Sequence, residues 1–261
     1  MKYSVGFMGW QKITVPSNKQ EKERKDIIEK LSKTTFKSQD YLWHYPHFFN
    51  FVQIDFFDIF KDKKILSYLP RFRQTLREWA EFDPTDFKFS IMVPKQYIEI
   101  NIGTHDKLKI FLQELEPIQK KILAIVLKVP STFTLAKDRE WLNSLLGFCK
   151  QFKYSIAMEF EHQSWYQDLT YNILRKYNTS LIWSDRHKYH VITSNFLYLQ
   201  ISENLEKWIQ KLKEKEKDFE KANNRSTKSY FDTDPVYFAD IVLESNNMSK
   251  INLTRKLLNL G

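Results

Sequence analysis

Ser155-Ile156-Ala157-Met158-Glu159-Phe160-Glu161-His162-Gln163-Ser164-Trp165 is the stretch on which the reading of this chain turns. Four mostly apolar positions, Ser155 to Met158, run straight into two carboxylates, an imidazole and a Ser-Trp pair. A short, continuous apolar run is the pattern of a strand covered on both faces, as in a parallel sheet. Its C-terminal end then opens on a cluster of polar groups.

The same layout recurs from end to end. Apolar runs at 3–7, 51–55, 87–92, 122–129, 155–159, 180–183, 196–201 and 240–243 read as strands. Amphipathic stretches lie between them. Residues 70–81 open on Pro70, a residue suited to a first helical turn, and carry Phe72, Leu76 and Trp79 on one face. Residues 106–118 carry Leu108, Phe111, Leu112 and Leu115, residues 203–222 carry Leu205, Trp208, Ile209, Leu212 and Phe219, and residues 249–260 close the chain with Ile251, Leu253, Leu257 and Leu258. The connection 184–195 is too short for a full helix. Eight strands with helical crossovers predict an α/β fold, a TIM-barrel-like (β/α)8 in a single domain over residues 1–261. A doubly wound open sheet is the alternative, and length and strand count favour the barrel.

Composition narrows the function. A 42% hydrophobic chain with 16% aromatics has ample material for a large core, and five glycines leave no Gly-rich phosphate loop. The net charge of +9 favours anionic partners, although the acidic residues are plentiful and interspersed, as on an ordinary lysine-rich surface. The Lys/Glu-rich stretch 211–221 alternates in sign and reads as a solvated helix face, and 223–229 reads as a loop. The single cysteine, Cys149, excludes an intrachain disulfide and lies among Trp141, Leu142, Leu145, Leu146 and Phe148, where it reads as a small core residue. The first residues show no apolar signal run, and the longest aliphatic run, 122–127, is far short of the roughly 20 residues a bilayer span needs. The expectation is a cytoplasmic protein with no membrane contact.

Seven strings, in order, resemble those of the YecE-like family, the domain of unknown function 72 family. Gly6-Phe7-Met8-Gly9-Trp10 is similar to its G-T-S-G-W, and Phe49-Asn50-Phe51-Val52-Gln53-Ile54-Asp55 to its F-N-T-V-E-I-N. Phe87-Lys88-Phe89-Ser90-Ile91-Met92 resembles F-x-F-x-V-K, followed by Thr104-His105 for a T-H pair. Lys128-Val129-Pro130-Ser131-Thr132-Phe133 resembles Q-L-P-P-S-F, and Glu159-Phe160-Glu161-His162-Gln163-Ser164-Trp165 resembles E-F-R-H-x-S-W. Tyr198-Leu199-Gln200-Ile201-Ser202-Glu203 stands where the family has Y-x-R-x-H-G, and Ser245-Asn246-Asn247 where it has F-N-N. The resemblance implies a TIM-barrel-like fold and no settled activity. Apolar framework positions persist while polar ones change: Gln53, Asp55, Met92, Lys128, Glu161, Gln200 and Ser202 all depart from the family strings.

Catalytic groups in such barrels collect at the C-terminal strand ends, where the loops surround one concave mouth. Reading those ends gives Trp10, Asp55, Lys128, Glu159, Glu161, Asp185, Gln200 and Asn246 as candidate contacts, together with Lys95, Arg186, Glu203 and Glu244. Glu159 and Glu161, two apart, share a face if the strand persists, and a carboxylate pair can serve acid/base work or help hold a divalent cation. The bland alternative pairs Glu159 with Lys128 on the neighbouring strand. His162 suits proton transfer, or else it caps the segment that follows. His105 near a helix start has the same two readings. His44 and His47 sit among aromatics as core, and His187 and His190 in a short basic loop read as surface groups or a weak metal signal. Trp10 and Trp165 read as stacking walls or as barrel closure.

The first functional reading is a small polar or anionic ligand bound at the mouth, with acid/base or metal-assisted hydrolysis or isomerisation. Glu159 is then base or anchor, His162 its proton partner, and Lys128 the charge neutraliser. The second is a non-catalytic barrel binding nucleic acid or protein through its basic exterior, including Arg71, Arg73 and Arg77. A degenerate barrel kept for assembly is the third.

Overall fold

The eight apolar runs form eight strands. In the computed structural model the described residues are 2–8, 51–55, 69–81, 87–98, 105–202, 206–214 and 238–243. The strands are β1 (Lys2–Met8), β2 (Phe51–Asp55), β3 (Lys88–Met92), β4 (Ile122–Val129), β5 (Ile156–Phe160), β6 (Ser180–Ser184), β7 (Phe196–Ile201) and β8 (Phe238–Leu243). Each pairs in parallel with the next, and β8 pairs with β1 from Lys2↔Phe238 to Phe7↔Leu243, so each of the described strands has a neighbour on both sides of a curled sheet.

Parallel neighbours require crossovers, and helices supply most of them. Helix α1 (Leu69–Glu81) precedes β3, α2 (Asp106–Glu114) precedes β4, α3 (Leu135–Cys149) precedes β5 and α4 (Asp168–Lys176) precedes β6. Residues 206–214 are helical between β7 and β8, whereas 185–195, between β6 and β7, holds no helix. The connection after β1, the loop 223–229 and the expected helix 249–260 lie outside the described residues, as do His44 and His47. Among the described residues no helix is long and apolar enough to cross a membrane.

Helix boundaries follow local chemistry. Helix α2 stops at Glu114, short of the expected 118, because Pro117 has no N–H to continue the ladder, and the chain tightens there into a 3-10 helix over Glu116–Lys121. Helix α4 ends in a Schellman motif. Asn178 takes the left-handed conformation (φ 50°), its N–H donates to Arg175 O at 3.0 Å, and Thr179 N–H donates to Leu174 O at 2.9 Å. Arg73 of α1 forks onto the Glu114 carboxylate at the end of α2, which neutralises one of the three arginines of that helix.

Strand alternation sorts the core into two layers. Phe51, Ala124, Val126, Ala157, Ile182, Phe196 and Tyr198 pack together inside the ring. Val52, Ile54, Phe89, Ile91, Leu127, Val129, Met158, Phe160, Leu181, Trp183 and Leu199 face outward, against Phe72, Leu76, Leu108, Phe111, Trp141, Leu145 and Leu174 of the helices. Cys149 belongs to this outer layer, and burial pushes its thiol up to about 12, which makes it a poor nucleophile. The alternation also decides the site. Even residues of β4 and odd residues of β5 face inward, so Lys128 and Glu159 emerge at the C-terminal end of the ring.

Candidate functional site

Lys128 and Glu159 are register partners on β4 and β5. The Lys128 ammonium lies 3.5 Å from Glu159 Oε2 and 3.6 Å from Glu161 Oε1, so one cation bridges both carboxylates. Strand β5 ends at Phe160, yet Glu161 N–H still donates to Val129 O at 3.0 Å and holds its side chain on the same side. The other oxygen of Glu161 accepts from Ser131 N–H at 3.1 Å. Glu159 is almost wholly buried, with 4% of its side chain exposed, while Lys128 and Glu161 are about one-third open at 33% and 35%.

The second partner of Glu159 comes from the helix-free connection after β6. His187 Nε2 lies 3.5 Å from Glu159 Oε1. Burial alone would raise the Glu159 carboxyl, but the His187 hydrogen bond and the charges of Lys128 and Arg186 outweigh it and hold the group below its ordinary value. The His187 ring leans on Tyr166 at 4.9 Å between centroids, and Tyr189 stacks on the same ring at 5.4 Å. Tyr166 is fixed in turn, its hydroxyl donating to Phe160 O at 2.7 Å, and burial followed by the Glu159 charge raises its phenol. His187 N–H donates to Ser184 O, and Asp185 beside it accepts both the N–H and the hydroxyl of Ser202 at 3.0 and 2.8 Å. The loop is thereby pinned to the end of β7.

A cavity of about 340 Å³ lies beside Lys128 and Glu161 and reaches Asp55, Met92, Lys95 and Gln96 at the ends of β2 and β3. Gln200 faces the ring interior, where its amide donates to Gln53 Oε1 at 3.0 Å. The sequence candidates Lys128, Glu159, Glu161 and Asp55 thus gather at one end of the ring, with Gln200 inside it and Asp185 bracing the loop. Trp10, Asn246, Glu203 and Glu244 lie outside the described residues.

Two expectations need correction. Trp165 is no wall of the mouth: it is wholly buried in the outer layer, stacks on Phe160 at 5.0 Å, and its indole N–H donates to Phe133 O at 2.9 Å. Phe160 faces outward, and Trp165 follows it. His162 is not the imidazole beside Glu159. Its Nδ1 accepts from Ser164 N–H at 3.1 Å and caps the short turn Gln163–Trp165, as the capping alternative requires. His187, read from sequence as a surface group, takes that place.

His105 also sits away from the mouth. It packs on Phe148 and meets Ser144 Oγ at 3.1 Å between α2 and α3, and burial lowers its imidazole. Among the described residues no group of three or more His, Cys, Asp or Glu is gathered as a metal site. His187 and Tyr189 were within reach of sequence reasoning through one signal. A connection that leaves β6 without entering a helix keeps its first residues at the C-terminal end of the ring, which places their side chains near the mouth.

Known proteins supply the setting. No curated protein matches the chain. A crystal structure of a DUF72 family protein from Thermotoga maritima superposes with a TM-score of 0.64 at 16% identity, covering 99% of this chain and 100% of that one. A structure described as IolI protein with a binding zinc atom superposes with a TM-score of 0.50 at 13% identity, covering 98% and 96%. At such identities the likeness shows the fold alone. The family model described as "Protein of unknown function DUF72" matches residues 23–239. The chain therefore belongs to the DUF72, or YecE-like, family.

Proposed function

We propose that this chain is a single-domain (β/α)8-type barrel that binds a small polar or anionic ligand at the C-terminal mouth and moves a proton there through His187. Glu159 orients the imidazole and Lys128 supplies positive charge. Trp10 and Asn246, at the strand ends read from sequence, complete the ligand contacts in this reading.

One observation carries the proposal: the contact between His187 Nε2 and the buried, ionised Glu159. An imidazole that spends its Nε2–H on a carboxylate keeps Nδ1 as a basic lone pair. A carboxylate held ionised also stabilises the imidazolium that forms when Nδ1 takes a proton, the logic by which a buried acid serves a catalytic histidine. Glu159 is then a positioning residue rather than the base. Lys128, already engaged by two carboxylates, keeps a third N–H for a ligand oxygen. The cavity beside it offers room for a small metabolite.

The test is the tautomer of His187, read by nitrogen NMR at pH 8. The expected result is the Nε2–H form in the wild type and a mixture of tautomers in Glu159→Gln, with thermal-shift responses to a panel of small carboxylic acids and phosphate esters lost in His187→Ala. A wild-type Nδ1–H form, or a Glu159→Gln spectrum identical to the wild type, overturns the assignment.

A further inference from the structure

The cavity beside Lys128 combines an apolar strip with charges of both signs. The strip is built by the exit from β3. Met92 ends the strand with its side chain packed on the inner layer, and Val93 N–H still donates to Val126 O at 2.9 Å. Pro94 then opens a short 3-10 turn, closed by Tyr97 N–H donating to Pro94 O at 2.9 Å and Ile98 N–H to Lys95 O at 3.0 Å. Met92, Val93 and Pro94 all line the cavity. Around them stand two carboxylates, Asp55 and Glu161, and two ammoniums, Lys95 and Lys128. Asp55 is the last residue of β2 and the register partner of Met92, so strip and charge meet at one level of the ring.

The balance of charge decides what such a cavity selects. The Lys128 ammonium lies 3.5 Å from Glu159 and 3.6 Å from Glu161, so its charge is shared by two carboxylates before any ligand arrives. A ligand carboxylate on the same ammonium therefore meets like charges, and like charges brought together repel. A ligand that brings an ammonium of its own converts that repulsion into attraction. Glu161 is placed to receive it. Its Oε2 is fixed by the N–H of Ser131 at 3.1 Å, its side chain is about one-third open, and a carboxylate accepts about four hydrogen bonds. The volume of about 340 Å³ lies at the small end of the range of about 300–1,000 Å³ for small-molecule sites, which suits a molecule of amino-acid size rather than a nucleotide.

We propose that the mouth binds a small zwitterion with an apolar body, of the α-amino-acid class, with its carboxylate on Lys128, its ammonium on Glu161 and its side chain along Met92, Val93 and Pro94. The inference rests on the reading of the mouth as a ligand site and names the ligand class within it. Selectivity then comes from repulsion as much as attraction: the carboxylates of the lining reject a simple acid, and the lysines reject a simple amine.

Leucine, 4-methylpentanoate and 3-methylbutylamine supply the test, since the second lacks only the ammonium and the third only the carboxylate. Calorimetric titration of the full chain is expected to show leucine binding at least tenfold tighter than either. Glycine, which keeps both charges and lacks the side chain, is expected to bind at least tenfold more weakly than leucine. Glu161→Gln, which keeps an acceptor for Ser131 N–H, is expected to narrow the gap between leucine and 4-methylpentanoate to less than threefold. Lys128→Met is expected to weaken those two acids alike; the wild-type comparison decides the proposal even if this variant fails to fold. Equal binding of leucine and 4-methylpentanoate by the wild type overturns the zwitterion and leaves the mouth reading standing. A gap that survives Glu161→Gln, or glycine binding as tightly as leucine, overturns the proposed contacts. Binding of none of the four overturns the inference, and the mouth reading then stands or falls on the wider panel of acids and phosphate esters with His187→Ala.

Discussion

His162 and His187 follow adjacent strands of the same ring and end in opposite roles. His162 stands next to Glu161 in sequence, yet its ring turns back to cap its own turn, and the chain passes outward to bury Trp165 against Phe160. His187 lies far along the chain from Glu159, yet it reaches that carboxylate from the helix-free loop after β6. Proximity in sequence to the acidic pair therefore says less than the direction the chain takes on leaving the strand. After β5 the chain must enter α4, so its first side chains become packing and capping. After β6 no helix follows, and Asp185 and Ser184 hold the loop over the ring's end.

The largest expected difference between the two loops is in stability. Trp165→Ala removes a fully buried indole and its hydrogen bond to Phe133 O, and should cost about 3–5 kcal/mol in urea denaturation. His187→Ala leaves Glu159 its Lys128 partner and should cost less, about 1–3 kcal/mol, while abolishing ligand responses. A Trp165→Ala loss as small as that of His187→Ala would mean that the outward turn after β5 is not packing, and the contrast would collapse.

His162→Ala sharpens the same comparison at smaller scale. Loss of a side-chain cap costs about 1 kcal/mol, and acid binding and the His187 tautomer should stay as in the wild type. A loss of binding in His162→Ala to match that in His187→Ala would restore the sequence assignment of His162 as the proton partner of Glu159.

What the sequence made legible follows from how strongly each feature is encoded. Continuous apolar runs such as 122–129 and 155–159 have few other uses, and they became β4 and β5. The phase of those strands also places Lys128 beside Glu159, because a two-residue period leaves little freedom. The limits lie where the chain leaves regular structure. Nothing in Glu161-His162-Gln163 states that the turn faces outward; the decision is made by Trp165 finding the layer under α3. The short connection after β6 signals that His187 starts near the mouth, but its contact with Glu159 spans a long sequence separation and is set by the Asp185–Ser202 clamp and the Tyr166 ring, which no local pattern encodes.

The smallest expected effect lies on the far side of the His187 loop and tests how that loop is held. His190 Nδ1 accepts from Lys211 Nζ at 2.6 Å, its Nε2 faces Ser184 O at 3.3 Å, and its ring lies between the edges of Trp183 and Trp208. The arrangement needs a neutral imidazole, one nitrogen accepting and the other donating. Burial first, then the charges of Lys211 and His187, lowers its proton affinity in the folded chain despite the opposing bond to Ser184 O. The unfolded chain, with histidine near its ordinary value of about 6.5, then binds more protons below that pH. Stability from this contact is therefore complete above about pH 6.5 and falls as the pH drops through that value toward the lower folded one. Urea denaturation between pH 5 and 7 should show this decline in the wild type and a flatter profile in His190→Gln. Identical slopes would show that His190 does not tie the loop to the helical segment at 206–214, and that the His187 side of the mouth is braced from Asp185, Ser184 and Tyr166.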